Sequence, residues 1–471
     1  MMERFYWCFG VLLVMLGCSG PGWVQHATEE GEVVHAVPDA VIHYPGDAEK
    51  GLNYLLNANY IGSGYPLELM PKNFKAKLDT ADTKATRSRL EPEFNFVLDE
   101  RRKVWIVQKN CFTCHGGPFQ GEYTYGLGNT AGDFTDKPGL TSKLLPAIAA
   151  KKLGKDTDAH KAFTDVWQYL RVVEQEAVTP VKGVNPAFRI EEACVMYRNP
   201  ADLTYVEAPN FTMAAGPVPV ADVPPLWNVD KKRALYYNGM GRGDFRKLLM
   251  QASVLGIKDS TEARKVFNQF HDVVAWAASL QPPKWPGNIN KALAIEGKVL
   301  FADNCGKCHG SYGDKSSYPN KIIPLSKIGT DPYYARYFYK HSGLVNWYNN
   351  SWYATSSAPS QMLPSLGYVA PPLDGVWATA PYLHNGSVPD LESLLNSESR
   401  PTRWHRSAAA QANGDDYDFE RVGWKYKQST KSKGKLVYNT TKPGYGNAGH
   451  TYGDKLSDAE RKAVIEYLKT L

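Results

Sequence analysis

Apolar positions recur at helical spacing in three stretches of the chain. In DSTEARKVFNQFHDVVAWAASL, residues 259–280, Val266, Phe267, Phe270, Val273, Val274 and Ala277 share one face, which predicts a capped amphipathic helix. In KALAIEGKVLFADNCGKCHG, Leu293, Gly297, Leu300 and Phe301 fall at the same spacing, on a helix that ends at a pair of cysteines. The C-terminal LSDAERKAVIEYLKTL opens with Ser457 and Glu460 at capping-box spacing and sets Val464, Tyr467, Leu468 and Leu471 on one face. Glycine at 297 would let these last two helices cross closely, bringing Phe301 near Tyr467. Between the first helix and the second, QPPKWPGN at 281–288 has three prolines and a glycine, the strongest break in the chain.

At 471 residues and 43% hydrophobic, the chain can bury more than one core. Its net charge is only +6, without a basic tract, which sets nucleic acid aside. The apolar run Phe9–Leu16 is too short to span a bilayer and reads as an export signal. It ends in MLGCS, so Cys18 is a candidate acylation site and the expected location is the periplasm or cell surface, as an outer-membrane lipoprotein if Cys18 is acylated.

The chain has seven cysteines, and four of them form two C-x-x-C-H motifs: Cys111, Cys114 and His115, then Cys305, Cys308 and His309. This is the signature of covalent haem c attachment, with two thioether bonds and an adjacent proximal imidazole for the iron. Without a βαβ context or a four-ligand pattern, a redox dithiol or zinc ribbon fits less well. The expected cofactors are two covalently bound haem c groups, with His115 and His309 as iron ligands. A haem with one protein ligand can bind O2 or peroxide, whereas one with two can only exchange electrons.

The crossed helices of the last 180 residues resemble those of class I cytochrome c. Two C-x-x-C-H domains together with APPLDGVWATAPYLHNGSVP, DVPPLWNVDKKRALYYNG, SGYP at 63–66, SRPTRWH and GNAGHTYG resemble the diheme cytochrome c peroxidase superfamily, and within it the rubber oxygenases. The resemblance implies a mainly α fold of two cytochrome c-like domains with an N-terminal extension and long loop insertions. The boundaries expected are a signal at 1–18, the extension at 25–95, a first haem domain at 96–281 and a second at 290–471. No repeat shorter than the haem domains is apparent.

Departures from the peroxidase pattern bear on activity. Tyr237, Asn238 and Gly239 stand where peroxidases have W-D-G, Ile257 stands at the position of their catalytic glutamate, and Ala131 at that of a distal histidine. These losses favour a permanently accessible first haem. His450, in the glycine-rich PGYGNAGHTYG, is the expected distal ligand of the second haem, with Met362 as the alternative; the rubber oxygenase resemblance also points to His450. His384 is expected near a haem propionate or the domain interface. The superfamily places an aromatic between the haems, which makes Tyr237 and Trp227 the candidate catalytic or electron-carrying residues. Arg242 and Asp244 read as a salt-bridged turn.

Two functions follow as expectations. One is an oxidoreductase that activates O2 or peroxide at the N-terminal haem and stores or relays electrons at the C-terminal haem. Its partners would be the small-molecule oxidant and a reductant or organic substrate, with a redox protein as a further candidate. The other is an electron-transfer cytochrome with both haems six-coordinate. The extension and the long 130–225 insertion favour the enzyme.

Overall fold

The computed structural model describes residues 35–37, 45–75, 92–341, 343–406, 416–431 and 433–471. The expected signal and Cys18 lie outside these residues. Helix Lys291–Asn304 crosses helix Asp458–Leu468 at Gly297, where a Cβ would stand 1.8 Å from the Ala463 carbonyl oxygen. Only glycine allows that approach. Phe301 and Tyr467 meet with ring centroids 5.3 Å apart, and Ser457 and Glu460 close the capping box.

A second crossing has no counterpart in the sequence reading. Helix Ala48–Asn57, capped by the Asp47 carboxylate, packs on helix Ser260–Ser279 at Gly51, whose Cβ would lie 2.1 Å from the Asp272 carbonyl oxygen. A stretch counted as extension thus does for the first C-x-x-C-H motif what Lys291–Asn304 does for the second.

The fold is not mainly α. With 39% helix and 15% strand in several small sheets it is a mixed α/β fold. Strands Phe94–Asp99 and Val104–Lys109 pair antiparallel, and Tyr65–Pro66 adds to the outer edge of the second. Their alternation is hard to read because the buried face of the first strand carries Asn95, Val97 and Asp99, two of them polar. Asn95 is satisfied there by the carbonyls of Leu55 and Ala58 and by Asn110. The remaining strands, such as Arg403–Arg406 between Tyr426–Gln428 and Tyr438–Asn439, are too short for a period-2 signal.

The structure also reveals an internal repeat. Pro224–Gly239 and Pro371–Gly386 have equal length, share Pro-Pro-Leu at the start and Asn-Gly at the end, and fold alike. Each carries a 3₁₀ turn, Val229–Lys231 and Val376–Ala378, and then a residue of positive φ, Tyr236 at 69° and Leu383 at 67°. Each then closes an antiparallel bridge, Leu235 with Gly241 and Tyr382 with Val388. The two copies meet reciprocally. Val369 N–H donates to the Tyr237 carbonyl at 2.7 Å, and Asp222 N–H, at the matching position, donates to the His384 carbonyl at 2.8 Å. Equivalent residues facing one another in this way are the mark of a local two-fold axis.

Candidate functional site

In the second unit the helix Lys291–Asn304 delivers Cys305, Cys308 and His309 to the wall of a cavity of about 240 Å³. Both cysteines are free thiols, as are Cys111, Cys114 and Cys194. His309 Nδ1 lies 2.8 Å from the Pro371 carbonyl, which orients the ring and leaves Nε2 for a ligand. Burial lowers its pKa, so the imidazole is neutral and can ligate.

His450 stands opposite, its ring centroid 6.2 Å from that of His309. Two metal–imidazole bonds of about 2 Å in line, with the ring radii added, span about 6 Å. The gap therefore suits one iron between two imidazoles. Burial and then the nearby His309 and Arg400 push the His450 pKa down to about 3, and its Nδ1 is buried without a partner.

The loop that carries His450 is fixed from three sides. Arg400 donates to five carbonyls: Ser393, Leu394, Asn447, Gly449 and His450 itself, at 2.6–3.1 Å. Asp331 accepts from the N–H groups of Gly444 and Gly446. Asn385 donates to the carbonyls of the same two glycines. Gly449, at φ +72°, lies so close to Gly329 that a Cβ would come within 2.2 Å of its carbonyl carbon. Met362, the alternative ligand, is instead fully buried in the core around the first unit, on a strand paired with Gly241–Gly243.

In the first unit Cys111–Thr113 form a 3₁₀ turn capped by Asn110, which sets Cys111, Cys114 and His115 side by side. Asn185 donates to Cys114 Sγ at 3.1 Å. Burial lowers the His115 pKa to about 4. The Pro224 carbonyl, counterpart of Pro371, acts on this ring too, but falls short of a closed hydrogen bond and leaves Nδ1 buried without a partner. Two free thiols beside a buried neutral imidazole fit a covalently attached haem here as well.

The distal side differs. The segment leading into the crossing helix is the His450 loop in the second unit and the 3₁₀ helix Met250–Leu255 in the first. That segment contains no histidine, and its Met250 is fully buried in the core.

Tyr237 and His384 occupy matching positions of the repeat, with ring centroids 6.3 Å apart across the pseudo-axis. Tyr368 stacks on His384 at 4.0 Å. Both Tyr237 and His384 line the cavity. Trp227 and Asp374 are a second matching pair, and Trp227 Nε1 donates to the Asp374 carbonyl at 2.8 Å. The two aromatic candidates thus lie at the junction of the units. His384 has a pKa lowered to about 3 by burial and an unpartnered Nε2. Arg242 and Asp244 have separate partners: Arg242 donates to the Gly239 carbonyl, and Asp244 caps the following helix and pairs with Arg246.

Sequence reasoning missed Arg400, although SRPTRWH was among the resembling segments, and it missed Glu191, for which the sequence holds no signal. Glu191 keeps accessible surface, yet burial pushes its carboxyl up to about 8, with Glu192 adding to the rise. Tyr236 and Tyr237 likewise keep accessible surface, and theirs lines the cavity. With its amide nitrogen turned to the carboxylate, Gln251 lies 2.8 and 3.1 Å from the Glu191 oxygens and 3.0 Å from Tyr236 Oη, and accepts from Tyr348 Oη at 3.1 Å. Tyr236 in turn lines the cavity.

Residues 367–405 match the family described as RoxA-like, cytochrome c-like. The uncharacterised proteins y4iJ and y4iM of Sinorhizobium fredii are also similar. The first is 31% identical over 260 residues, 41% of this chain and 41% of the relative; the second is 28% identical over 296 residues, 53% of this chain and 64% of the relative. The aligned regions span less than two thirds of either relative. The matched segment contains Tyr368, Pro371, His384 and Arg400. It identifies a cytochrome c-like domain of rubber-oxygenase-like kind, with haem c as cofactor and an oxidoreductase or electron-transfer role.

Proposed function

We propose that this protein is an exported diheme c-type cytochrome oxidoreductase, in which the N-terminal haem meets O2 or peroxide and the C-terminal haem stores or relays electrons. The observation that carries this reading is the asymmetry on the distal side: His450 faces His309 at 6.2 Å, and the equivalent segment of the first unit has no histidine. A haem iron with a free face binds and activates O2 or peroxide, and one held by two imidazoles cycles electrons.

The chain's own residues then divide the work. Cys111 and Cys114, and Cys305 and Cys308, would hold the two groups, and His115 and His309 would ligate from the proximal side. The Arg400, Asp331 and Asn385 clamp keeps His450 in place and shuts the second site to small molecules. Glu191 holds a proton on its carboxyl at neutral pH, and Gln251 and Tyr236 connect it to the cavity. Tyr237, His384 and Trp227 line the junction through which electrons would pass between the units. Its partners would be a small-molecule oxidant, with peroxide reduction and polyisoprene oxidation as the two reactions to assay, and its setting the periplasm or cell surface.

Low-temperature EPR of the ferric protein tests the division. One high-spin or cyanide-exchangeable haem beside one low-spin haem is expected. Two low-spin haems unchanged by cyanide or peroxide would overturn it in favour of an electron carrier.

A further inference from the structure

The helix Leu140–Leu153, LTSKLLPAIAAKKL, sets leucines, an isoleucine and alanines among Thr141, Ser142 and three lysines. Its inner face is covered: Ala149 is fully buried, and the helix packs against Asp158–Glu176 and Leu67–Leu69. Its outer face is not. Leu140, Leu144 and Ile148 are 73%, 47% and 44% exposed and follow one another at four-residue steps, so they form one stripe down the helix. Single exposed apolar residues need no explanation, but a contiguous stripe marks a surface that something else covers.

The charges say what that is. Every charge on this helix is positive: Lys143, Lys151 and Lys152, all exposed, with no acidic residue among its fourteen. At roughly 100° per residue, Lys143 falls on one flank of the stripe, Lys152 on the other and Lys151 near its centre line. Asp156 and Asp158 stand beyond the helix end. Apolar side chains between lysines whose stems can reach past them suit an acyl-chain boundary beneath anionic headgroups. A neutral apolar surface would gain nothing from the lysines.

We infer that Leu140–Leu153 is a lipid-facing element that seats the protein on an anionic membrane surface, independently of any acyl chain on Cys18. The test is flotation of the full-length protein carrying Cys18→Ser with three kinds of particle: phosphatidylethanolamine vesicles containing one quarter phosphatidylglycerol, pure phosphatidylcholine vesicles, and polyisoprene particles. Co-flotation with the anionic vesicles, weakened by salt, is expected. Each of Lys143→Gln, Lys151→Gln and Lys152→Gln should weaken binding about fivefold, and Leu144→Ser with Ile148→Ser should abolish it. These side chains are exposed, so melting and haem absorption should match the parent and show that loss of binding is not loss of fold. Equal binding to phosphatidylcholine, indifference to the substitutions, failure to bind either vesicle, or binding to polyisoprene alone would overturn the inference.

Discussion

The two C-x-x-C-H units share a cradle and differ in a lid. Each crosses two helices at a glycine, Gly51 against Asp272 and Gly297 against Ala463, and each lays a Pro-Pro-Leu segment beside its proximal histidine. Above the cradle they diverge. The second unit inserts a long excursion between helix Leu391–Leu395 and its closing helix, and this returns as the clamped His450 loop; the first goes from Phe245–Leu249 to its closing helix through one 3₁₀ turn. What a haem iron held in each unit could do would thus be set by a connection rather than by the scaffold, as is usual when function is grafted onto a repeated frame.

The largest effect that would break this comparison is loss of a haem. Cys305→Ala with Cys308→Ala should leave one covalent haem per chain by mass spectrometry, and Cys111→Ala with Cys114→Ala should leave the other. A parent chain with fewer than two would end the two-unit account.

Next in size is the ligand. His450→Ala should convert the low-spin EPR signal to high-spin and open a second cyanide site, making the second unit resemble the first. Met362→Ala should leave both signals intact, because Met362 is packed in the opposite core. The reverse result would move the ligand to Met362.

A smaller change should follow from the clamp. Arg400→Gln removes charge-assisted bonds to five carbonyls, each worth about 1.5–3 kcal/mol in isolation but shared within one loop, so a net loss of about 3 kcal/mol in stability is expected by denaturant titration. The same variant should show a mixture of low- and high-spin second haem. A uniform low-spin signal would mean that Asp331 and Asn385 suffice.

The first unit offers a pH test. Glu191 has a folded pKa of about 8 against an ordinary value of 4.5. The folded state therefore holds its proton where the unfolded state has lost it. Its stabilising contribution is complete below about pH 4.5 and is lost as pH rises through about 8. Glu191→Gln should flatten the fall in melting temperature between pH 5 and 9, leaving the slope due to Glu192, also raised, to about 7. An unchanged slope would place Glu191 in contact with solvent.

How much of this was legible in the sequence follows from range. The haem-binding helix, the closing helices and the C-x-x-C-H motifs are local patterns, and spacing alone carries them. The Gly51 crossing joins residues more than two hundred apart through a short helix with a single glycine. The strand Phe94–Asp99 buries Asn95 and Asp99, which inverts the expected alternation. No repeat shorter than the haem domains was apparent in the sequence, because Pro-Pro-Leu and Asn-Gly at equal spacing enclose otherwise unlike residues; only the reciprocal hydrogen bonds show that Tyr237 and His384 are one position twice. Glu191 and Arg400 act through partners brought together by folding, so no local pattern announces them.

That equivalence sharpens the last and smallest prediction. His384 lines the same cavity as His309 and His450: its Nε2 is buried and unpartnered, burial keeps it neutral, and Tyr368 stacks on its face at 4.0 Å. A neutral imidazole lining the cavity could in principle compete for iron. Its backbone, however, is tied by the Asp222 N–H into the junction, and its ring sits against Tyr237 and Tyr368 rather than against His309. The first unit fills the same position with tyrosine. His384→Tyr therefore copies a side chain that this backbone already accommodates, and EPR should retain one high-spin and one low-spin haem, with a stability change of about 1 kcal/mol. If that substitution alone turned the second haem high-spin, His384 would be the ligand, and the two units would differ at the repeat itself rather than at the loop above it.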